Sequence, residues 1–460
     1  MRKKADTICA IATPSGRGGV GVIRLSGPLS LEIASELYPP LPQPRQASLR
    51  SLPDVCGEPI DEGLVIVFPG PHSFTGEDVV EIQSHGSPVV LNIILDSLVA
   101  KGARLAQPGE FSKRAYLNDR IDLVQAEAIA DLIEASTEKA ARAAHVSLQG
   151  VFSTQINSLV DDLVRLRIYV EASLDFPDED VDFLADGQVA EKASELLSRL
   201  STLTSQAKQG ERLTSGARIA LVGEPNAGKS SLLNALAGRD AAIVTELAGT
   251  TRDVVTEHLN IAGVGVSVSD TAGLRETLDP IESIGIERAG QEMHLADLIV
   301  WLIDGRALGG EVMDRDALMR HPIAEQLQKD YPLLQELERV LPVVNKVDLL
   351  EMNAGHKNGV VWLSAKTGEG VEALKEVIAE RLGVLDLGEG VFSARARHLH
   401  ALSRAREALE QGVGEITQTG SGELLAESLR AAAEALGEIT GQMSADELLG
   451  RIFSSFCIGK

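Results

Sequence analysis

The sequence Gly223-Glu-Pro-Asn-Ala-Gly228-Lys229-Ser230 follows a run of buried-type residues, Ile219–Val222, and precedes a helical stretch, Ser231–Ala237. This arrangement matches the phosphate-binding pattern G-x-x-x-x-G-K-[ST] between a strand and a helix. Its glycines allow backbone N–H groups to close around phosphate oxygens at a helix N-terminus. Lys229 is expected to reach the β- and γ-phosphates, and the Ser230 hydroxyl to bind Mg²⁺. The alternative is a plain glycine turn, which the strand and helix context disfavours.

Three further motifs follow along the chain, each at the end of a predicted strand. Asp270-Thr271-Ala272-Gly273 supplies a carboxylate for the metal shell and a glycine amide for the γ-phosphate. Asn345-Lys346-Val347-Asp348 ends in a carboxylate that can accept two hydrogen bonds from guanine, which adenine cannot offer. Ser364-Ala365-Lys366 follows the next strand and can complete the base pocket. Together the ordered motifs predict a guanine-nucleotide-binding domain of the translation-factor-like GTPase class.

The region that holds these motifs, 216–385, alternates predicted strands with helical segments, as in a doubly wound α/β sheet. Helical stretches flank it on both sides, with apolar stripes over 156–170, 399–416 and 425–439. The termini of a domain usually lie close together, which favours one helical bundle with a domain inserted into it over two separate helical domains. The strands predicted in the inserted region are Ala217–Val222, Val264–Ser269, Leu298–Asp304, Val340–Asn345 and Val360–Leu363.

The N-terminal part is predicted to be a separate α/β or α+β domain. Its apolar runs predict strands at Thr7–Ala12, Val20–Leu25, Gly63–Phe68 and Val79–Gln83, and a helix at Pro88–Lys101. The predicted domains are 1–120 (α/β), 121–215 (first helical part), 216–385 (GTPase) and 386–460 (second helical part).

The composition limits the possible partners. The 460 residues carry 43 Lys and Arg against 67 Asp and Glu, a formal net charge of −24, so bulk charge cannot coat a nucleic acid. Aromatic residues make up 3%, too few for single-strand stacking platforms. No apolar run approaches the ~20 residues of a membrane span, and three sparse cysteines fit a reducing compartment. We therefore expect a cytoplasmic protein without a membrane segment, whose nucleic-acid contacts are local or shared with a partner.

Two other patterns have competing interpretations. Gly16-Arg-Gly18-Gly19-Val-Gly21 matches a dinucleotide fingerprint, but a predicted strand follows it, so we interpret it as a tight strand–strand loop. The densest basic run is predicted to be a solvated helix face, with a tRNA or partner contact as the alternative. This run comprises Arg395, Arg397, His398, His400, Arg404 and Arg406.

Leu274 occupies the position after the D-T-A-G motif where many GTPases place the glutamine that orients the attacking water. A leucine side chain cannot orient water, so another group must do so. Glu282, Arg275 and Arg252 are close enough in sequence to assist, the alternative being that they are solvated loop charges. Thr251 is the candidate second ligand of Mg²⁺.

Over essentially its full length the sequence resembles the MnmE (TrmE) family of tRNA modification GTPases. The nucleotide motifs alone occur in many families, so the two ends of the chain and the inserted arrangement make the likeness specific. It is carried by A-T-P-S-G-R-G-G-V-G-V-I-R-L-S-G (12–27), F-T-G-E-D (74–78), R-A-Y-L-N-D (114–119), D-L-V-Q-A-E-A-I-A-D-L-I (122–133), T-E-L-A-G-T-T-R-D (245–253) and F-C-I-G-K (456–460).

The resemblance implies a homodimer with a folate-binding N-terminal domain, a helical bundle and an inserted GTPase domain. It further implies a heterotetramer-type complex with the flavoprotein MnmG (GidA). Together the two proteins would install an aminomethyl or carboxymethylaminomethyl-type group on C5 of the wobble uridine of certain tRNAs. The one-carbon unit would come from 5,10-methylenetetrahydrofolate, with 5-formyltetrahydrofolate as the related ligand, and tRNA would bind through local patches and the partner.

The resemblance also implies roles for particular residues. Glu282 would position the attacking water, and a K⁺ ion would replace an arginine finger at Asn226, Thr245, Leu247 and Thr250. The catalytic candidates are Glu282, Arg275 and Cys457. The alternative for Cys457 is a small buried apolar residue, which is the more common role of a free cysteine. Folate would contact Arg24, Glu81, Arg120 and Lys460, of which Arg120 departs from the lysine that is frequent in the family. The predicted GTP contacts are Gly223, Asn226, Ala227, Gly228, Lys229, Ser230, Ser231, Thr245, Glu246, Leu247, Ala248, Gly249, Thr250, Thr251, Asp270, Thr271, Ala272, Gly273, Asn345, Lys346, Val347, Asp348, Ser364, Ala365 and Lys366.

Two other functions compete with tRNA modification. The first is a regulatory GTPase switch in ribosome assembly or signalling, which would need no one-carbon chemistry. The second is a dimerising scaffold with vestigial hydrolysis, for which Leu274 is the best support.

Overall fold

The computed structural model describes residues 6–175, 188–238, 256–270, 290, 292–309, 313–330, 334, 338–350, 352–383, 391–442, 446–454, 456 and 459. The chain divides into two compact units. Unit 1 comprises 1–130, 148–196 and 404–460, and unit 2 comprises 131–147 and 197–403. Most of unit 2 therefore lies between two segments of unit 1 in the sequence, as an insertion requires. The domain boundaries at 120, 215 and 385 stay a prediction.

The sheet of unit 1 has the strand order β3-β4-β5-β2-β1-β6. Neighbouring strands are antiparallel, except for the parallel pair β1 and β6. The strands are β1 (Ile8–Ile11), β2 (Gly18–Ser26), β3 (Ser48–Pro53), β4 (Pro59–Phe68), β5 (Val79–Gly86) and β6 (Arg104–Leu105). The four predicted strands are confirmed. The sequence patterns missed β3, which mixes polar and apolar residues, and β6, which is only two residues long.

Two helices, Ser30–Leu37 and Pro88–Ala100, pack against one face of this sheet. Alternation along the strands directs Ile23, Val65 and Ile82 into the core that the helices cover. The other face carries the residues between them, including Arg24 of β2 and Glu81 of β5, which are cross-strand partners. The period-2 pattern of the strands thus separates the apolar face that the two helices cover from the face that carries the Arg24–Glu81 pair.

The glycine-rich stretch 16–21 is placed differently from the prediction. Gly18, Gly19 and Gly21 lie inside β2, so the interpretation of the whole stretch as a loop is wrong. A Cβ atom at Gly21 would come within 2.6 Å of Leu91 Cδ1, so the strand needs glycine to approach the helix beneath it. The strand continues beyond the glycines to Ser26, as predicted for 22–25, which rules out the dinucleotide fingerprint because no helix N-terminus is presented there.

The sheet of unit 2 has the strand order β12-β13-β11-β10-β7-β9-β8. Its central strands are parallel, and β8 and β12 are antiparallel to their neighbours. The strands are β7 (Ala217–Gly223), β8 (Thr256–Ile261), β9 (Val264–Asp270), β10 (Leu298–Asp304), β11 (Val340–Asn345), β12 (Gly355–Lys357) and β13 (Val360–Trp362). The five predicted strands are confirmed.

Both faces of this second sheet are buried. Leu221, Val300 and Val343 belong to the core on one face, whereas their neighbours along the strands belong to the core on the other. Burial on both faces explains the continuous apolar runs of the central strands. The helices of this region are Lys229–Ala237, Arg315–Met319, Pro322–Asp330 and Val371–Arg381. The fold is the predicted doubly wound sheet.

The remaining helices carry the predicted apolar stripes. Helix Val151–Asp175 packs along helix Gly422–Thr440, and the stripe residues Ile156, Leu163 and Leu429 are buried. Within the described residues, no helix combines the length and the apolar character needed to cross a membrane. The other helices are Glu110–Leu117, Leu123–Glu134, Glu138–Leu148, Gln188–Ser215, Ala396–Thr419 and Asp446–Ser454.

Candidate nucleotide-binding and folate-binding sites

The loop after β7 has the backbone shape that its glycines allow. Gly228 adopts φ +100° and immediately precedes the helix that begins at Lys229. A Cβ atom at Gly223 would lie 2.2 Å from the Leu302 carbonyl oxygen, and one at Gly228 would lie 2.3 Å from Asn345 Nδ2. Both positions therefore require glycine because neighbouring strands approach the loop closely. The predicted strand–loop–helix context is confirmed.

Lys229 lies inside this loop and is only 6% exposed. Its ammonium group donates hydrogen bonds to the carbonyl oxygens of Gly223 and Glu224 at 2.7 and 2.9 Å. Ser230 and Ser231 follow in the first helical turn with exposed side chains. The cation is therefore held at the mouth of a helix N-terminus, where anionic phosphate oxygens are favoured.

Asn345, at the end of β11, joins three motifs that are far apart in the sequence. Its side-chain amide donates to the Ala227 carbonyl oxygen at 2.8 Å. Its Oδ1 atom accepts from the backbone N–H groups of Lys346 and Ala365 at 2.8 and 2.9 Å. Asn345 is 2% exposed, so these bonds form away from bulk water, where an unpaired amide would be costly. One side chain thereby fixes the phosphate loop against both proposed base-binding segments.

The base-binding segments leave their polar ends exposed. Asp348 is exposed in a one-turn 3-10 helix, Val347–Leu349, whose first N–H donates to the Leu363 carbonyl oxygen at 3.2 Å. Ser364 is fully buried, and its backbone N–H donates to the Glu369 carbonyl oxygen at 2.9 Å. Lys366 is exposed. Backbone hydrogen bonds therefore support the segment whose exposed carboxylate is predicted to bind guanine.

The remaining nucleotide and catalytic candidates fall largely outside the described residues. The backbone of Asp270 ends β9 beside Leu221 of β7, which places the first residue of the D-T-A-G motif at the carboxyl end of the strand that pairs with β7. The predictions for the other residues stay predictions. They concern Thr245, Glu246, Leu247, Ala248, Gly249, Thr250, Thr251, Thr271, Ala272, Gly273, Arg275, Glu282, Cys457 and Lys460.

In unit 1, Arg24 and Glu81 form an ion pair across β2 and β5. Arg24 Nη2 and Nε donate to Glu81 Oε1 at 2.8 and 3.1 Å, and both side chains are about one-fifth exposed, at 22% and 20%. The guanidinium also lies 5.3 Å from the ring centroid of Phe74 and 5.7 Å from that of Phe111. Two of the four predicted folate residues are thus in direct contact in an aromatic setting.

The other folate candidates belong to segments that lie near this pair. The exposed side chain of Arg120 covers Gly76, where a Cβ atom would lie 3.2 Å from Arg120 Cγ, two residues beyond Phe74. Near the C-terminus, Gly459 packs against the end of β1, where a Cβ atom would be 2.3 Å from the Ile11 carbonyl oxygen. Ile11 pairs with Ile23, the neighbour of Arg24. Lys460 itself lies outside the described residues.

Two family profiles match the sequence. The profile described as "GTP-binding protein TrmE N-terminus" matches residues 7–120, and that described as "MnmE helical domain" matches residues 123–457. A curated relative, the tRNA modification GTPase MnmE of Erwinia tasmaniensis, is 50% identical over 461 residues, which is 99% of this chain and 99% of the relative. The chain belongs to the MnmE family.

Membership of the MnmE family confirms the resemblance inferred from the motifs. The helical profile begins before and ends after the inserted sheet, as expected for a bundle interrupted by another domain. Among solved structures, part of the chain is similar to a GTP-binding protein from the archaeon Sulfolobus solfataricus in complex with GDP. The identity is 16%, the match covers 50% of this chain and 68% of that chain, and the TM-score is 0.26. The FeoB G-domain from Methanococcus jannaschii has 28% identity, 36% and 98% coverage and a TM-score of 0.24.

The basic run of this MnmE-family chain is not a uniformly solvated face. His398 is 1% exposed, and Arg395 Nη2 and Nε donate to the buried Asp131 carboxylate at 2.6 and 3.1 Å. Arg404 Nη1 donates to Glu438 Oε1 at 3.2 Å. The predicted solvated face is therefore wrong for Arg395, which pairs with a residue distant in sequence, and for His398, which is buried. The alternative, a contact with tRNA or a partner, stays a prediction.

Proposed function

We propose that this chain binds GTP at the loop 223–230 and hydrolyses it as part of tRNA modification. The observation that carries the nucleotide assignment is Asn345, whose side chain links the phosphate loop to both base-binding segments. Lys229 would neutralise phosphate charge, and Asp348 would select guanine through its carboxylate oxygens. The name of the E. tasmaniensis relative and membership of its family support the link to tRNA.

The reaction we propose is modification of C5 of the wobble uridine of certain tRNAs, in complex with the flavoprotein MnmG (GidA). The product would carry an aminomethyl or carboxymethylaminomethyl-type group, with a methylenetetrahydrofolate as one-carbon source. Mass spectrometry of tRNA nucleosides from cells lacking the protein tests this proposal. We expect modified wobble uridines to disappear and to return with the intact gene but not with Lys229→Ala. Unchanged wobble uridines would instead favour the regulatory GTPase switch.

The described donors of the metal sites fit the cations that we propose. The exposed hydroxyl of Ser230 lies in the first turn of the helix after the phosphate loop, and Thr251 would be the second Mg²⁺ ligand. Asn226 has an exposed carboxamide and a positive φ of 65°; with Thr245, Leu247 and Thr250 it would hold K⁺. Bound there, the two ions would offset negative charge that builds on the phosphate oxygens.

Hydrolysis should depend on potassium. A cage of oxygen ligands sized for K⁺ holds the smaller Na⁺ poorly, so K⁺ should accelerate GTP turnover by about tenfold, equivalent to ~1.4 kcal/mol of transition-state stabilisation. Na⁺ should leave the rate at its basal value. Steady-state hydrolysis in KCl, NaCl and choline chloride at one ionic strength measures the effect. Equal rates in the three salts would contradict the potassium site.

The ion pair of β2 and β5 supports a folate site in unit 1, with Arg120 and Lys460 as further contacts. A carboxylate such as Glu81 suits the amino and ring N–H groups of a pterin, and basic groups suit its glutamate tail. Half-buried Arg24, which donates to Glu81, would then hold the Glu81 carboxylate in place for the pterin. Cys457, near the C-terminal lysine, stays a catalytic candidate by resemblance only.

Replacing Glu81 by glutamine should weaken 5-formyltetrahydrofolate binding by about tenfold or more, because one charge-assisted hydrogen bond is lost. GTP hydrolysis should be unchanged. Titration calorimetry with this folate measures the affinity, and thermal unfolding reports any loss of stability from replacing the ion pair with Arg24 by a neutral hydrogen bond. Glu36→Gln is the matched control, because Glu36 pairs with Lys101 on the exposed surface of the same unit. If Glu81→Gln and Glu36→Gln bind the folate with equal affinity, Glu81 does not contact the folate.

A homodimer is supported by exposed apolar side chains of the first sheet. Leu49 and Leu64 are cross-strand partners and are 60% and 37% exposed. Val20, near the start of β2, is 60% exposed. Exposed apolar side chains that lie together on a sheet are typical of a protein interface.

We propose that the complex works in the cytoplasm.

A further inference from the structure

The Lys346 ammonium group bridges two parts of the nucleotide site. It donates to the Asn226 carbonyl oxygen at 2.7 Å and to Asp304 Oδ2 at 2.8 Å. Asn226 belongs to the phosphate loop, whereas Asp304 belongs to no nucleotide motif in the sequence. The side chains of Lys346 and Asp304 are 23% and 14% exposed, so the pair is partly shielded from water and from salt.

The topology of the sheet brings this carboxylate to the site. Asp304 is the last residue of β10 and lies in register with Asn345, the last residue of β11. The carboxyl ends of parallel strands form the edge at which such sheets bind ligands. Gly305 lets the ends of the two strands lie close together, because a Cβ atom there would be 3.0 Å from the Asn345 carbonyl oxygen. Backbone pairing of β10 with β11 therefore places Asp304 beside the motif 345–348 that is predicted to bind guanine.

The contact that Lys346 makes needs a fixed geometry. Both Lys346 and Asn226 have positive φ angles, 68° and 65°, a conformation that residues other than glycine rarely adopt. Such conformations persist where surrounding contacts hold them, and they concentrate at functional sites. The anchored Lys346 ammonium keeps the phosphate loop and the end of β10 together at this point.

Asp304 is suited to be that anchor because it stays ionised. Hydrogen bonds from Arg306 and from Lys346 hold the pKa of its carboxyl group far below the usual value. Arg306 donates to both carboxylate oxygens and is the larger cause of this shift. Among the described residues its side-chain hydrogen bonds go to Asp304 alone, whereas the bond to the Lys346 ammonium is the one that continues to the phosphate loop.

We infer that Asp304 is a positioning residue for guanine-nucleotide binding: it holds the Lys346 ammonium against the phosphate loop and so keeps the loop in the shape that accepts the nucleotide. The inference rests on the proposed GTP-binding function. Preorganisation of this kind acts on binding of GDP and GTP alike, since both use the same loop. It should leave the chemical step unchanged, because an interaction present equally in ground and transition states does not alter kcat.

Asp304→Ala should raise the Kd for GDP and GTP by about 10- to 50-fold, the size expected for one charge-assisted hydrogen bond. The change should come mainly from faster dissociation, while kcat at saturating GTP stays within about twofold. Asp304→Asn keeps an oxygen that can accept from Lys346, so it should recover part of the affinity. Arg306→Ala, which leaves the bond between Asp304 and Lys346 in place, is the matched control and should bind GDP normally. Stopped-flow dissociation of a fluorescent GDP analogue gives these values.

A double-mutant cycle separates positioning from a general loss of structure. In a Lys346→Met background, Asp304→Ala should add less than about threefold to the Kd, because its partner is already gone. An effect of Asp304→Ala that is as large in that background as in the intact chain would overturn the inference. So would a Kd within threefold of the parent in the single variant. If the parent and Arg306→Ala both fail to bind GDP, the proposed GTP-binding function itself is wrong.

Discussion

Replacing Glu282 by alanine is expected to slow GTP hydrolysis by roughly two to three orders of magnitude, comparable to removing one positioned catalytic donor. Leu274 stands where many GTPases carry the glutamine that orients water, and the family resemblance assigns that task to Glu282. A group that acts only in the transition state lowers kcat without changing nucleotide affinity. The Kd for GTP should therefore stay within about threefold, a change below ~0.7 kcal/mol.

Single-turnover hydrolysis beside stopped-flow binding of a fluorescent nucleotide separates these two quantities. Glu325→Ala is a matched control, because Glu325 is an exposed glutamate in a helix of the same sheet domain. If modification needs turnover and not only the GTP-bound state, Glu282→Ala should also fail to modify tRNA. Normal hydrolysis by the Glu282→Ala variant would contradict the catalytic role and favour the alternative, that Glu282 is a solvated loop charge.

Sequence patterns predicted the parts of the fold whose chemistry is local. The phosphate loop is encoded by glycines next to a strand and a helix, and the doubly wound sheet by central strands buried on both faces. The same patterns did not predict the two antiparallel edge strands, β8 and β12. Strand β8 reads Thr256-Glu-His-Leu-Asn-Ile261, where polar residues interrupt the apolar run, and β12 has only three residues.

Contacts between distant residues could not be predicted in this way. The place of Asp304 in the site follows from the register of β10 with β11, which no motif records. The pairing of Arg395 with Asp131 spans 264 positions, so a basic run that looked solvated is in part covered. Arg24 and Glu81 were expected from the resemblance, but their direct contact depends on the register of β2 with β5. Sequence reasoning therefore identified residue types and left their partners to the tertiary structure.

Replacing Asp348 by asparagine should invert the base preference of the site. The exposed carboxylate of Asp348 is held in its one-turn helix beside buried Val347, where it can accept hydrogen bonds from two N–H groups of guanine. Asparagine keeps one acceptor oxygen and places an N–H₂ donor where the second acceptor was. We expect GTP affinity to fall by about 100-fold, since one charge-assisted bond is lost and two donors then face each other. Xanthine carries a carbonyl oxygen in place of the guanine amino group, so the same variant should bind XTP at least about tenfold better than the parent does.

Asp348→Ala distinguishes base recognition from a loss of folding. Alanine removes the acceptors without adding a donor, so GTP should bind as weakly as in the asparagine variant while XTP gains nothing. Competition of GTP, XTP and ATP against a fluorescent GDP analogue measures all three preferences in one assay. A parallel loss of GTP and XTP binding in both variants would mean that Asp348 supports the loop without touching the base. A gain for XTP in the asparagine variant alone assigns the carboxylate to guanine, because only a new donor facing a new acceptor accounts for it.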